Sequence, residues 1–196
     1  MTKFIVIEGL DGSGKSTVTK LLAERFKEDN QPCITTFEPT KTPIGELIRQ
    51  ALTGKQTFEN ETMALLFAAD RYQHLQEEIV PALVHSNVIC DRYYYSNMAY
   101  QGLCERSLER VLAYNQTMLK PHITFFLDVS PTECLRRVIA RGVDISIYES
   151  LPELELRYER YKMTINHMKN DSIISIGDDE MTAADIAEQM WAIVQS

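Results

Sequence analysis

Short apolar runs alternate along the chain with stretches whose apolar residues fall three or four positions apart. The first pattern predicts buried strands and the second amphipathic helices. Strands are expected at residues 3–8, 33–37, 88–91, 123–129 and 173–176. Helices are expected at 15–29, 44–52, 96–103, 108–119, 132–141, 152–169 and 183–194, and a long helical stretch at 60–85. Pro43 and Pro131 stand where a helix starts. Pro81 lies inside the long stretch and is expected to kink or split it. Strands that alternate with helices imply a parallel sheet covered on both faces, with ligands gathered at the carboxyl ends of its strands. The α/β pattern shows no repeat or linker, so residues 1–196 read as one domain.

The loop after the first strand changes this picture most. Gly9-Leu10-Asp11-Gly12-Ser13-Gly14-Lys15-Ser16 follows an apolar strand and opens a helix, matching the spacing of a phosphate-binding P-loop. The glycines let backbone N–H groups turn inward onto phosphate oxygens. The helix that follows, with Ser16 and Thr17 in its first turn, adds its positive end. Lys15 can reach the β- and γ-phosphates of ATP, and the Ser16 hydroxyl can ligate Mg²⁺. Gly9, Asp11, Gly12, Ser13, Gly14, Lys15, Ser16 and Thr17 are therefore the expected triphosphate cradle. Asp11 would repel a triphosphate, so it is expected to face a second substrate and any cation between the two.

The third strand ends Cys90-Asp91-Arg92-Tyr93. An acid followed by a base suits a small kinase: Asp91 orients Mg²⁺ or its waters, and Arg92 neutralises a phosphate in transit. Asp128, closing the fourth strand, ranks second as a metal-site acid. No guanine-reading N-K-x-D is present. Together these features predict a P-loop NTPase-type three-layer fold with a five-stranded parallel sheet and a short lid at about residues 141–150.

The sequence resembles the thymidylate kinases in several places. Asp91-Arg92-Tyr93-Tyr94-Tyr95-Ser96-Asn97-Met98-Ala99-Tyr100-Gln101 is similar to their D-R-Y-x-x-S-x-x-A-Y-Q signature, the most specific part of the match. Glu38-Pro39 with Gly45 to Arg49, and Phe67-Ala68-Ala69-Asp70-Arg71, resemble two further family stretches. The resemblance implies phosphoryl transfer from ATP to dTMP with Mg²⁺, in a homodimer. It places Glu38, Arg49, Phe67, Arg71, Arg92, Asn97, Tyr100, Gln101, Asp11 and Glu149 around the acceptor.

These residue types suit those roles. Phe67 and Arg71 are four apart and share a helix face, so a ring can stack on a pyrimidine while a guanidinium donates to its carbonyl. Arg49 and Arg92 can grip phosphate as forks. Asn97 and Gln101 each carry a donor and an acceptor for a base edge. By resemblance, Tyr100 crowds the sugar C2′. Tyr94 is expected to serve packing.

The chain also departs from the family. Some members carry an arginine in the P-loop where this chain has Gly12. Others carry one in the lid, where it has Asp144, Ile145 and Ser146. Transition-state charge is then expected from Arg137 or Arg141, beside Lys15 and Arg92. By resemblance, Arg141 also lies against ATP. Phe37 stands where bacterial relatives often have Arg. Two rivals compete with this reading: a deoxynucleoside kinase, and a nucleotide-binding regulator without turnover.

Composition excludes more than it adds. The net charge of −8 argues against a nucleic-acid partner. No apolar run approaches the ~20 residues of a membrane helix, and MTKFIVIEGL lacks a signal-peptide layout. The four cysteines form no C-x-x-C pair, so free thiols in a reducing cytoplasm are expected.

Overall fold

The computed structural model describes residues 1–142, 149–169 and 171–196. Strands β1 (Phe4–Gly9), β2 (Cys33–Phe37), β3 (Asn87–Asp91), β4 (Ile123–Leu127) and β5 (Ile173–Ile176) form one parallel sheet in the order β2-β3-β1-β4-β5. β1 sits at its centre and is buried along its whole length. Phe4 and Val6 face one core, with Val88, Tyr93 and Met98. Ile5 and Ile7 face the other, with Val18, Leu22, Phe125 and Met190. That two-sided burial explains why the strands read as continuous apolar runs rather than alternating ones. Each large apolar side chain so buried stabilises by about 1.5–3 kcal/mol.

Helices complete three layers, as expected. α1 (Lys15–Glu28) and α9 (Ala183–Gln195) pack together on one face, where Phe26 and Trp191 meet edge to face at 5.0 Å. α5 (Tyr94–Gln101) and α8 (Leu151–His167) pair on the other. The chain places β2 at one edge with β3 between it and β1, then crosses to the other side of β1 for β4 and β5. A crevice therefore opens at the carboxyl end of β1. α2 (Pro43–Leu52) and α3 (Asn60–His74) add a small apolar cluster of Ile48, Ala51 and Met63 beside it.

The loop between β2 and α2 is held from below. The buried Asp70 carboxylate accepts from the Thr40 amide at 2.8 Å, the Thr40 hydroxyl at 2.5 Å and the Thr42 hydroxyl at 3.0 Å. Gly45 seals the contact, since a Cβ there would stand 1.9 Å from the Thr40 carbonyl oxygen.

Several boundaries differ from expectation, each for a local reason. The long stretch is split: α3 runs into a π turn at Leu75–Ile79 before α4 (Val80–Leu83). Pro81 has no N–H to give, and its ring crowds the carbonyl four residues back, so the chain widens just ahead of it. α5 starts at Tyr94 rather than at residue 96, because Glu8 on β1 accepts the Tyr93 and Ser96 amides. α6 (Glu105–Asn115) starts earlier than expected, closed by a Cys104–Ser107 capping box, and it ends at Asn115 rather than at residue 119. α7 (Pro131–Arg141) matches its prediction, with Ser130 as N-cap. Of the predicted lid, residues 143–148 lie outside the described residues. Among the described residues no helix is long and apolar enough to cross a membrane.

Candidate active site

The P-loop closes through a Ser13 amide to Leu10 carbonyl bond at 3.1 Å, with Gly12 and Gly14 at φ 85° and 98°. Gly14 is the N-cap of α1, whose first turn has neither a capping side chain nor an acid. A helix start left uncapped in this way suits an anion. The Ser13 hydroxyl is buried without a hydrogen-bond partner, another group that fits a phosphate oxygen. Lys15 is buried and donates to the Leu10 carbonyl at 2.7 Å; burial lowers its pKa, and Arg92 adds to that. Ser16 donates to Asp91 Oδ2 at 2.7 Å. This pair of hard oxygens from α1 and β3 is the donor set Mg²⁺ prefers. Asp128 instead accepts from Tyr158 at 2.6 Å and lines neither cleft described below.

A cleft of about 770 Å³ lies over the loop. Asp11, Gly12, Gly14, Lys15, Ser16, Thr17, Arg137 and Arg141 all line it. Gly9 does not; a Cβ on it would stand 2.7 Å from Ser13 Oγ, so it makes room for that side chain. Gly12 is pressed against α7, and a Cβ there would meet the Cys134 carbonyl oxygen at 2.2 Å. An arginine at this position is therefore sterically excluded. α7 brings its own arginines instead. Arg137 is held by Glu133 at 2.7 Å and reaches the Ser13 carbonyl at 3.4 Å. Arg141 pairs with Glu149 at 2.6 Å.

A second pocket of about 310 Å³ adjoins the first. Asp11, Arg49, Phe67, Arg92, Asn97, Tyr100, Gln101 and Glu149 line it. Asp11, Phe37 and Arg92 line both pockets. Arg49 pairs with Glu46 at 3.0 Å and donates to the carbonyls of Pro39 and Thr40. Two expected residues stand elsewhere. Glu38 lines the larger cleft. Arg71 lines neither; it is buried beneath, 2.7 Å from Glu38 and 2.6 Å from Asn115. The 3.6-residue period puts Phe67 and Arg71 on one face; Phe67 lines the pocket, and Arg71 lies buried against Glu38, Asn97 and Asn115.

Arg92 joins the two spaces. It pairs with Asp11 at 2.5 Å and donates to Ser96 and Tyr161, each at 3.1 Å. Its backbone is left-handed, at φ 73°, which costs a non-glycine residue roughly 1–2 kcal/mol. Strain of that kind persists only where surrounding contacts fix it. Ser96 and Tyr161 in turn donate to Glu8 at 2.5 and 2.9 Å. Burial raises the Glu8 pKa, and Arg92 together with these hydrogen bonds opposes the rise. Tyr100 donates to the other Asp11 oxygen at 3.1 Å, and Arg92 lies 5.4 Å from its ring centre. The three tyrosines 93–95 are buried; Tyr94 packs as expected and donates to Asp171.

Sequence reasoning missed Glu8, Tyr161 and Asn115. Glu8 left one signal, an acid inside an apolar strand just before the loop. The other two look like ordinary helix residues.

A parallel sheet, a glycine loop feeding a helix, and two clefts meeting at one arginine define a small P-loop phosphotransferase. A family model described as thymidylate kinase matches residues 7–182. A protein of Pyrococcus abyssi named "Probable thymidylate kinase" is 41% identical, over 85% of this chain and 81% of its own length. Proteins of the same name from Methanococcus aeolicus and Thermococcus kodakarensis are 39% and 38% identical; the matches cover 97% and 98% of this chain, and 94% and 97% of theirs. The chain belongs to the thymidylate kinase family.

The Asp11–Arg92 pair has a pH signature. Burial alone would raise the Asp11 carboxyl, but Arg92 and Lys15 outweigh it and hold its pKa at about 2, below the ordinary 3.8. A depressed folded pKa adds stability that is present above the unfolded value and lost as pH falls through the folded one. The difference in unfolding free energy between wild type and Asp11→Asn should be flat between about pH 5 and 8 and shrink below about pH 4. Urea titrations at stepped pH read it; a difference that grows on acidification contradicts the pairing.

Proposed function

We infer that the protein is a thymidylate kinase, moving the γ-phosphoryl of ATP to dTMP to give ADP and dTDP. The observation that carries this reading is the meeting of two clefts at Asp11, Phe37 and Arg92. One cleft has a triphosphate cradle and the other has room for a pyrimidine nucleotide beside Phe67. A donor phosphate in the first and an acceptor phosphate in the second converge on one guanidinium.

The acceptor phosphate oxygen is ionised at neutral pH, so no general base is required. Catalysis is positioning and charge neutralisation. Lys15 releases the Leu10 carbonyl to engage the β- and γ-phosphates. Arg92 and Arg49 hold the acceptor phosphate as forks, Arg92 exchanging part of its contact with Asp11 for it. Ser16 and Asp91 would hold Mg²⁺, which would neutralise charge on the transferring phosphoryl. Phe67 stacks on the base, Asn97 and Gln101 meet its edge, and Tyr100 closes on the sugar. Arg71 supports this set from beneath through Glu38, Asn97 and Asn115.

With ATP, dTMP should be phosphorylated far faster than thymidine, dCMP or UMP in a coupled ADP-release assay. A deoxynucleoside kinase would need a base for a neutral hydroxyl and has no use for two arginine forks. Equal or better turnover of thymidine rules the monophosphate reading out, and dTMP binding without ADP formation favours the regulator.

The cation that some family members place in the P-loop comes here from α7. Arg141→Ala should lower kcat on the order of 10³-fold while changing dTMP affinity much less. Single-turnover kinetics with dTMP calorimetry check this, and normal turnover by the variant sinks the assignment.

The protein acts in the cytoplasm as a homodimer. The family resemblance supports the dimer, as do Leu65 and Tyr72, large apolar side chains exposed on α3. Sedimentation equilibrium should give twice the 22.5 kDa chain mass; a monomer at micromolar concentration refutes it.

A further inference from the structure

Behind Arg92 lies a hydrogen-bond network whose direction is forced. Glu8 and Tyr161 are buried, and neither lines either cleft. Arg92 Nη1 can only donate, so Ser96 Oγ and Tyr161 Oη must both accept from it, each at 3.1 Å. Those two oxygens stand 2.8 Å from each other, and 2.5 and 2.9 Å from Glu8 Oε2. Their two hydrogens cannot face Arg92, and pointed at each other they would collide. At least one must therefore go to Glu8 Oε2. The other Glu8 oxygen is already committed, since Oε1 accepts the Tyr93 and Ser96 amides at 2.8 and 3.1 Å.

These commitments give the guanidinium two different sides. Nη1 is anchored on the two hydroxyls, while Nη2 reaches Asp11 at 2.5 Å, where the clefts meet. An acceptor at Glu8 Oε2 is what keeps both hydroxyl oxygens turned toward Nη1. A glutamine in its place would reverse that arrangement. Its oxygen would have to take the Oε1 place, where two N–H groups point, and its NH₂ would then donate to Ser96 and Tyr161. With Arg92 also donating, the hydroxyls would have one hydrogen for their mutual contact and a second with no acceptor, a costly state out of water.

We propose that Glu8 is a positioning residue for phosphoryl transfer: it draws the hydrogens of Ser96 and Tyr161 toward itself, turns their oxygens to Arg92 Nη1, and so holds that guanidinium at the boundary of the two clefts with Nη2 toward the phosphates. The inference rests on the dTMP kinase reading, in which Arg92 grips the acceptor phosphate. Glu8 acts on Arg92 only through the two hydroxyls. A cation displaced from the line of transfer neutralises less of the charge that moves along it.

The test compares wild type with Glu8→Gln, which keeps the Oε1 bonds to the start of α5 and replaces the acceptor at Oε2 by a donor. With ATP and dTMP, kcat should fall roughly 10- to 100-fold. Calorimetry without ATP should show the affinity gap between dTMP and thymidine narrowing roughly tenfold. Thymidine affinity itself should hold, because thymidine lacks the group that Arg92 grips. In an Arg92→Ala background, adding Glu8→Gln should change kcat by less than about threefold. Tyr161→Phe loses only the hydroxyl and should show the same pattern in smaller measure. It decides alone if a thermal melt shows Glu8→Gln unfolded. A residue with only a structural role would weaken dTMP and thymidine together, and would cost the same factor in kcat with and without Arg92. Either result in a folded variant overturns the proposal, as does an unchanged kcat. Wild type that phosphorylates thymidine as readily as dTMP overturns the functional reading instead, so the two failures are distinct.

Discussion

Arg92 stands in a backbone conformation that few side chains tolerate, and it is kept there by Asp11, Ser96 and Tyr161 closing on its guanidinium. Those partners come from the P-loop, α5 and α8, so the contact ties three separate parts of the chain to the end of β3. Glu8 sits behind them on β1 and receives Ser96 and Tyr161 in turn. A single cation thereby gains a fixed position at the boundary between the two clefts. Arg92 lines both clefts, and the first amides of α5 bind the Glu8 carboxylate that Ser96 and Tyr161 also meet. A charge held in place in advance lowers the reorganisation needed when a phosphoryl group arrives, which is the physical basis of electrostatic catalysis.

What the sequence disclosed and what it hid follow from the range of the interactions. The strands, the loop and most helices rest on local pattern, and they are found where apolar runs, glycines and prolines place them. Lys15, Ser16 and Asp91 were legible because loop and strand order alone bring them together. Arg71 lies deeper than the pocket lining: spacing gives a helix face but not how deep that face lies. Glu8, Asn115 and Tyr161 depend on contacts between elements distant in sequence, and no residue near them in the chain announces those contacts. The early start of α5 has the same origin, since its cap comes from another strand rather than from the residues before it.

The acceptor site is consequently built at two depths. Phe67, Asn97 and Gln101 line the pocket, while Arg71, Asn115 and Asp70 lie outside its lining and bond to the side chains and loop around it. Satisfied polar networks of this kind rigidify a site, and a half-satisfied one is costly in a buried setting.

The contact between Gly12 and the Cys134 carbonyl bears on how such a protein can change over time. Loop and helix share one volume, so a bulky loop residue and a seated α7 are mutually exclusive states. Converting this chain to the arrangement with an arginine in the loop would require α7 to withdraw first, which in turn would displace Arg137 and Arg141. Neither half of that exchange helps alone. The two solutions are separated by a valley that only coupled substitutions can cross.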